Sequence, residues 1–173
     1  QLAKMHARSA GQVKMPVTVR LPFGGGIGAV EHHSESPEAY FAHTAGLRVV
    51  TPSNPVDAFH LVQQAIASDD PVVFLEPKRR YWDKAEVDEG AAPALPMQSA
   101  RVARAGGDVT LVSYGPMVRT CLEAAAAAEA DGTSIEVVDL RSVAPIDVDT
   151  VAASVERTGR CVVAHEASVF LGV

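Results

Sequence analysis

The densest group of titratable side chains is Glu31-His32-His33-Ser34-Glu35, with His43 further on. An imidazole changes charge near neutral pH and suits acid–base work. Histidine and glutamate also ligate zinc or iron. Adjacent His32 and His33 would point to different sides, however, and the spacing is neither H-x-x-x-H nor H-E-x-x-H. A metal site is therefore the weakest of three readings. Acid–base chemistry and an ordinary solvent-facing histidine stay open. Just upstream, Gly24-Gly25-Gly26-Ile27-Gly28-Ala29 formally matches the dinucleotide pattern G-x-G-x-x-A. That motif needs a helix at once and an acid about 20 residues on. Val30-Glu31-His32-His33 has no helical spacing, and Val49 to Thr51 contains no acid. The glycines instead predict a loop whose backbone passes close to a ligand, to a neighbouring subunit or through a plain turn. His165-Glu166 is a weaker candidate, read as structural or interfacial. Ser34 and Ser36 form no G-x-S-x-G elbow, which argues against a serine hydrolase.

These side chains need a frame. Val17 to Leu21 is a β-branched strand, stopped by Pro22 and the glycines. Ser36-Pro37-Glu38 predicts a helix start, with Ser36 as cap and Glu38 facing the positive end. Leu47 to Thr51 is a second strand. Asn54-Pro55 then opens a helix whose apolar face is Ala58, Leu61, Val62, Ala65 and Ile66. Pro71 to Leu75 is apolar throughout, as a parallel strand covered on both faces should be. Periodicity disappears from Glu76 to about Gln98. Alternation resumes with a strand at Asp108 to Ser113, a helix at Met117 to Glu129 and a strand at Ile135 to Leu140. A helix at Asp147 to Glu156 and a strand at Arg160 to Ala164 follow. The expected fold is α/β: two three-layer units with mainly parallel sheets and right-handed crossovers. They would span residues 1–82 and 101–173, joined by a linker at 83–100. The histidine cluster and His165-Glu166 both follow strands, at the edge where parallel sheets bind ligands.

Composition narrows the function. The 173 residues are 47% hydrophobic and 21% charged, with a formal net charge of −6. That balance argues against nucleic acid as a partner, because phosphate neutralisation needs clustered Lys and Arg. Lys78-Arg79-Arg80 is the densest basic run; it reads as a solvated loop or, alternatively, as a dock for an acidic partner. No apolar run approaches the roughly 20 residues of a membrane span. Cys121 and Cys161 lie in apolar contexts outside any C-x-x-C motif and read as small buried residues in a reducing compartment. The chain begins at Gln1 and stops just after an apolar run, so an internal piece of a longer protein is expected.

Several segments in order resemble a known family. Leu21-Pro22-Phe23-Gly24-Gly25-Gly26, preceded by the extended run from Gln12, is similar to the beta subunits of thiamine-diphosphate-dependent 2-oxo acid dehydrogenases. His33 to His43 resembles their H-S-Q-S-P-E-A-x-F-x-H. Gly46 to Ser53, Asp70 to Lys78, Val138 to Ser142 and Thr158-Gly159-Arg160 resemble later blocks. The S-P-E-A block leans toward the branched-chain type over the pyruvate type. A transketolase or deoxyxylulose-phosphate synthase piece, or a non-catalytic assembly module, is the rival reading.

The resemblance implies the second half of a pyrimidine-binding domain followed by part of a transketolase C-terminal domain. It implies a heterotetramer of two alpha and two beta subunits, with thiamine diphosphate shared between them and Mg2+ held by the alpha subunit. A lipoyl-bearing acyltransferase core and a 2-oxo acid would be the other partners. The setting would be a bacterial cytoplasm or a mitochondrial matrix. The family's ylide-forming glutamate would lie upstream of Gln1. His33 matches the active-site histidine. Glu35 stands where glutamine is usual, and a carboxylate there favours an imidazolium. Some relatives hold a potassium ion; the matching positions are Thr18, Ala65, Ser68 and Asp70, with Ser68 replacing the usual Asp.

Overall fold

The computed structural model describes residues 1–170 and 172–173. Its first sheet is built from β1 (Thr18–Phe23), β2 (Arg48–Val50) and β3 (Val72–Pro77). β3 lies between the other two, parallel to both. Helix α3 (Pro55–Ile66) covers one face through Leu61 and Ala65, packed on Val50, Val72 and Phe74. Short helix α2 (Glu38–Ala42) lies on the other face, where Phe41 meets the core. A short helix α1 (Leu2–Arg8), absent from the sequence reading, precedes these elements.

The second sheet has the order β4 (Arg101–Arg104), β6 (Ile135–Asp139), β5 (Val109–Ser113) and β8 (Cys161–Val163). β5 runs parallel to β6 and β8, while β4 is antiparallel. Helix α4 (Met117–Glu129) packs by Cys121 and Ala125 on Leu111 and Val137. Helix α5 (Val148–Thr158) covers the opposite face by polar contacts: Thr110 Oγ1 lies 2.7 Å from both Ser154 Oγ and Thr158 Oγ1. Each buried hydroxyl there has a partner, which makes its burial tolerable. The expected class, α/β units in layers with mainly parallel sheets, is therefore the observed one.

The chain departs from the expectation in instructive places. β1 runs through Pro22 instead of stopping at it. β1 is the sheet's outer strand, where a missing N–H deprives no neighbour. α2 starts one residue after Pro37, and Ser36 does not cap it. Ile66 points outward and is 66% exposed. Cys161 is exposed, not buried, because β8 is an edge strand with Val162 and Val163 also open to solvent. Most consequential is β7 (Ser142–Ala144). It leaves the second unit and adds to β2 of the first sheet, antiparallel. One apolar cluster then joins Phe23, Val49, Val73 and Leu75 to Val112, Tyr114, Val138 and Val143.

A buried charge network locks this junction. Arg141 is only 2% exposed and adopts a φ of 57°. Its Nε donates to Asp57 Oδ1 at 3.1 Å, and its Nη1 donates to the carbonyls of Pro96 and Ser99. Its own carbonyl accepts from Thr51 N at 2.9 Å. Asp57 is oriented by Asn54, the α3 cap, which donates to it and accepts from its backbone N–H. Asp139, fully buried, accepts from Ser53 Oγ at 2.6 Å and pairs with Arg101 at 3.1 Å. Removing one partner of such a pair strands the other charge in a dry site.

Arg141→Ala should therefore lower the unfolding free energy by about 3–5 kcal/mol. Denaturant titration measures this, and a loss under about 1 kcal/mol would show that the network contributes little. Burial raises the Asp139 pKa from the usual 3.8 to about 6, against the opposing pull of Ser53 and Arg101. The fold thus holds that proton more tightly than the unfolded chain does. The resulting stability is present below about pH 4 and is lost as pH climbs to about 6. Stability of the wild type minus that of Asp139→Asn should fall across that window and be flat above pH 7. A flat difference throughout would contradict the raised pKa.

Candidate functional site

The carboxyl ends of both sheets converge on this junction. From the first sheet come Gly24, Thr51 and Lys78-Arg79. From the second come Tyr114-Gly115 and His165-Glu166. Gly115, at a φ of 55°, shows the closeness: a Cβ there would lie 2.9 Å from Thr51 Oγ1 and 3.3 Å from the Phe23 ring. Crevices outside the carboxyl ends of parallel strands are where α/β sheets bind ligands.

Residues 24–37 leave β1 and loop back to α2. Gly24 N donates to the Glu35 carbonyl at 2.8 Å, closing the loop at its base. Ser34 Oγ donates to the Ala29 carbonyl at 3.1 Å. Glu31–His33 forms a single 3-10 turn. His33 is exposed on it, and Lys78, at the end of β3, donates from Nζ to the His33 carbonyl. His32 and His33 meet edge to face, with centroids 4.1 Å apart. The carboxylate that faces an imidazole here is that of Glu31, whose Oε1 is 3.6 Å from His32 Nδ1. Glu35 is exposed and contributes its carbonyl to the loop base instead. His43 is elsewhere, lining a depression of about 800 Å³ with Tyr40, Val143 and Ile146. Among the described residues, no group of three or more His, Cys, Asp or Glu side chains could hold a metal ion.

Both ends of the loop are tied to the second unit. At the start, Arg79 Nη2 donates to Glu166 Oε2, and Glu166 lies over Gly24. At the end, Tyr114 Oη donates to Glu38 Oε1 at 2.8 Å, in a site where Glu38 is wholly buried. Burial, then the Glu38 charge, pushes the Tyr114 phenol far above its ordinary range, so it stays a donor. Sequence periodicity had no means of finding this pair. Glu38 was expected as an early acid facing the positive end of a helix, and Tyr114 directly follows the expected strand Asp108 to Ser113. Lys78-Arg79-Arg80, expected as a solvated loop or a dock for an acidic partner, is half-buried, with Arg79 paired to Glu166 and Arg80 to Asp83 at 3.2 Å. Its position directly after the buried strand β3 was the signal available.

The four positions matched to a cation site cluster by topology at the amino end of the first sheet. Thr18 pairs in register with Val72, two residues after Asp70. Ala65 and Ser68 form the turn that ends α3, with Ser68 N donating to the Ala65 carbonyl. Arg48 occupies the Asp70 carboxylate, and Ser68 Oγ accepts from Asp70 N at 3.1 Å. A separate cavity of about 390 Å³ lies between α3 and the first sheet, edged by Arg20, Glu76 and Tyr81. Burial and the Glu76 hydrogen bond push the Tyr81 phenol up to about 12. None of the candidate histidines lines it.

Comparison with known proteins agrees with this layout. Residues 1–83 match the model of the transketolase pyrimidine binding domain, and residues 98–173 match that of the transketolase C-terminal domain. The pyruvate dehydrogenase E1 component subunit beta of Leifsonia xyli subsp. xyli is 58% identical over all of this chain and 51% of its own length. The 3-methyl-2-oxobutanoate dehydrogenase subunit beta of Mycobacterium tuberculosis is 56% identical over 99% of this chain and 49% of its own. Among solved structures, a split gene transketolase, described as an inactive beta4 tetramer, superposes with a TM-score of 0.74. Its identity is 27%, and the match covers 99% of this chain and 57% of that one. The chain thus spans about half the length of the curated relatives it matches. With both models matched in order, the chain carries a transketolase pyrimidine binding domain followed by a transketolase C-terminal domain, and the relatives that match along its whole length are named as beta subunits of pyruvate and 3-methyl-2-oxobutanoate dehydrogenases.

Proposed function

We propose that this chain is the part of a 2-oxo acid dehydrogenase beta subunit that presents His33 to a thiamine diphosphate shared with an alpha subunit. The observation that carries the proposal is the exposed His33, fixed by its backbone at the carboxyl edge of a parallel sheet and open to a second protein. An imidazole on a glycine-rich loop at that edge fits the rim over such a coenzyme. Bound there, thiamine diphosphate supplies the electron sink that lets a 2-oxo acid lose carbon dioxide. The chain's own contribution is proton handling. A ring nitrogen of His33 can hold a proton for the substrate oxygen, or for the sulfur of a lipoyl group on the acyltransferase core. Lys78 holds the His33 carbonyl and so ties the turn that carries the ring to the end of β3.

The alpha subunit would hold the diphosphate and Mg2+. Thr18, Ala65, Ser68 and Asp70 offer oxygen donors suited to a potassium ion. With Arg48 on the Asp70 carboxylate, hydroxyl and carbonyl oxygens would hold it. The proposed setting is a bacterial cytoplasm or a mitochondrial matrix.

Branched-chain 2-oxo acids are the first choice of substrate. The 3-methyl-2-oxobutanoate relative supports this, as does a Pseudomonas aeruginosa 2-oxoisovalerate dehydrogenase subunit beta, 44% identical over 97% of this chain. Pyruvate is the second reading, supported by the 58% identical relative. The test is co-expression of the full-length chain with its alpha subunit, followed by turnover of 2-oxoisovalerate and of pyruvate. His33→Ala should assemble normally and lower kcat by about 100-fold or more. An assembled His33→Ala enzyme with unchanged turnover would remove the proposed role. Faster turnover of pyruvate than of 2-oxoisovalerate would reverse the substrate choice.

A further inference from the structure

We propose that Glu166 is a positioning residue for the His33 loop, a latch through which the second unit sets where the imidazole stands. The proposal rests on the reading of His33 given above and extends it to a residue outside the first unit.

Glu166 belongs to the second unit, three residues beyond β8, yet its carboxylate sits against the first residue of the loop. A Cβ on Gly24 would lie 2.3 Å from Glu166 Oε1, so the carboxylate occupies space that only glycine leaves free. Arg79, at the end of β3, grips the other carboxylate oxygen. The stem of Arg79 in turn fills the space over Gly26, where a Cβ would meet its Cδ at 2.3 Å. Both glycines adopt left-handed backbone, with φ of 85° and 79°. Two glycines and one ion pair thus form a continuous contact from the second unit, through Glu166 and Arg79, onto the start of the loop. The pair is mostly shielded, with side-chain exposures of 27% for Arg79 and 18% for Glu166. Among the described residues, Glu166 Oε1 and Arg79 Nε have no hydrogen-bond partner. The carboxylate is thus held from one side by Arg79 and pressed on the other against Gly24. Gly24 N closes the loop on Glu35, so a shift of Gly24 moves the base on which His33 rides.

The test uses the full-length beta chain assembled with its alpha subunit, and it has two readouts. The first is amide hydrogen exchange without substrate. Glu166→Ala should speed exchange across residues 24–35 by about tenfold or more, leaving α3 and α4 unchanged; unaltered exchange in the loop overturns the proposal. The second is turnover. Glu166→Ala should lower kcat by about 10-fold with KM within about twofold, and Glu166→Gln, which keeps an acceptor for Arg79, should recover part of the loss. In the His33→Ala background, Glu166→Ala should cost nothing further, since it acts through the imidazole. A full additional loss in that background overturns the proposal. If His33→Ala leaves turnover intact while Glu166→Ala still loosens the loop, the latch stands and the reading of His33 fails. The two failures are therefore separable.

Discussion

A guanidinium buried where two sheets meet is the constraint on which this molecule depends. Arg141 cannot reach water, so its charge must be satisfied by groups brought to it. Those groups are Asp57 at the start of α3 and the carbonyls of Pro96 and Ser99 in the connecting segment, while the backbone carbonyl of Arg141 accepts from Thr51 N after β2. Satisfying one residue therefore fixes the first unit, the connection and the second unit relative to each other. The strand that follows, β7, adds to the first sheet because Arg141 turns the chain there with a left-handed backbone. Asp139 and Arg101 extend the network, at the cost of burying a carboxylate whose proton is held more firmly than usual.

That alignment has a functional consequence. With the units locked, the carboxyl ends of both sheets face one junction, and the loop between Gly24 and Glu38 is held at each end by a residue of the second unit. Tyr114 holds the far end by a hydrogen bond to a buried carboxylate, and Glu166 lies over the near end. The exposed His33 thus rides on a loop tied at both ends. A proton-transfer group needs that arrangement, because geometry limits it before pKa does.

The parallel strands were legible in the sequence because β-branched apolar runs have few other uses. Helix α3 was legible by its Asn54-Pro55 start and apolar periodicity, α4 by its alanine-rich run, and α5 by its place between two strands. β4 and β7 were not. Arg101–Arg104 alternates charge with small apolar residues, and Ser142–Ala144 is too short to carry a pattern. The buried polar residues were the larger gap. Glu38, Asp57, Asp139 and Arg141 look like surface residues to any pattern of hydrophobicity; only their partners, distant in sequence, make burial possible. Of the site, the loop and its histidines were legible from residue types, and His33 was singled out by family resemblance. Lys78 and Arg79 sat in plain view beside a buried strand. That Lys78 reaches the His33 carbonyl depends on how the loop folds back over β3, and that Arg79 reaches Glu166 depends on how the two units dock; local spacing encodes neither.

The central claim is that His33 stands at a cleft completed by another subunit, facing a coenzyme held mostly by that partner. The most direct measurement is a structure of the assembled alpha–beta enzyme with thiamine diphosphate bound. The account predicts the His33 ring pointing into the closed cleft, within hydrogen-bond reach of the substrate side of the coenzyme or one water away. A ring turned to bulk solvent, or a coenzyme bound far from residues 24–37, would contradict it.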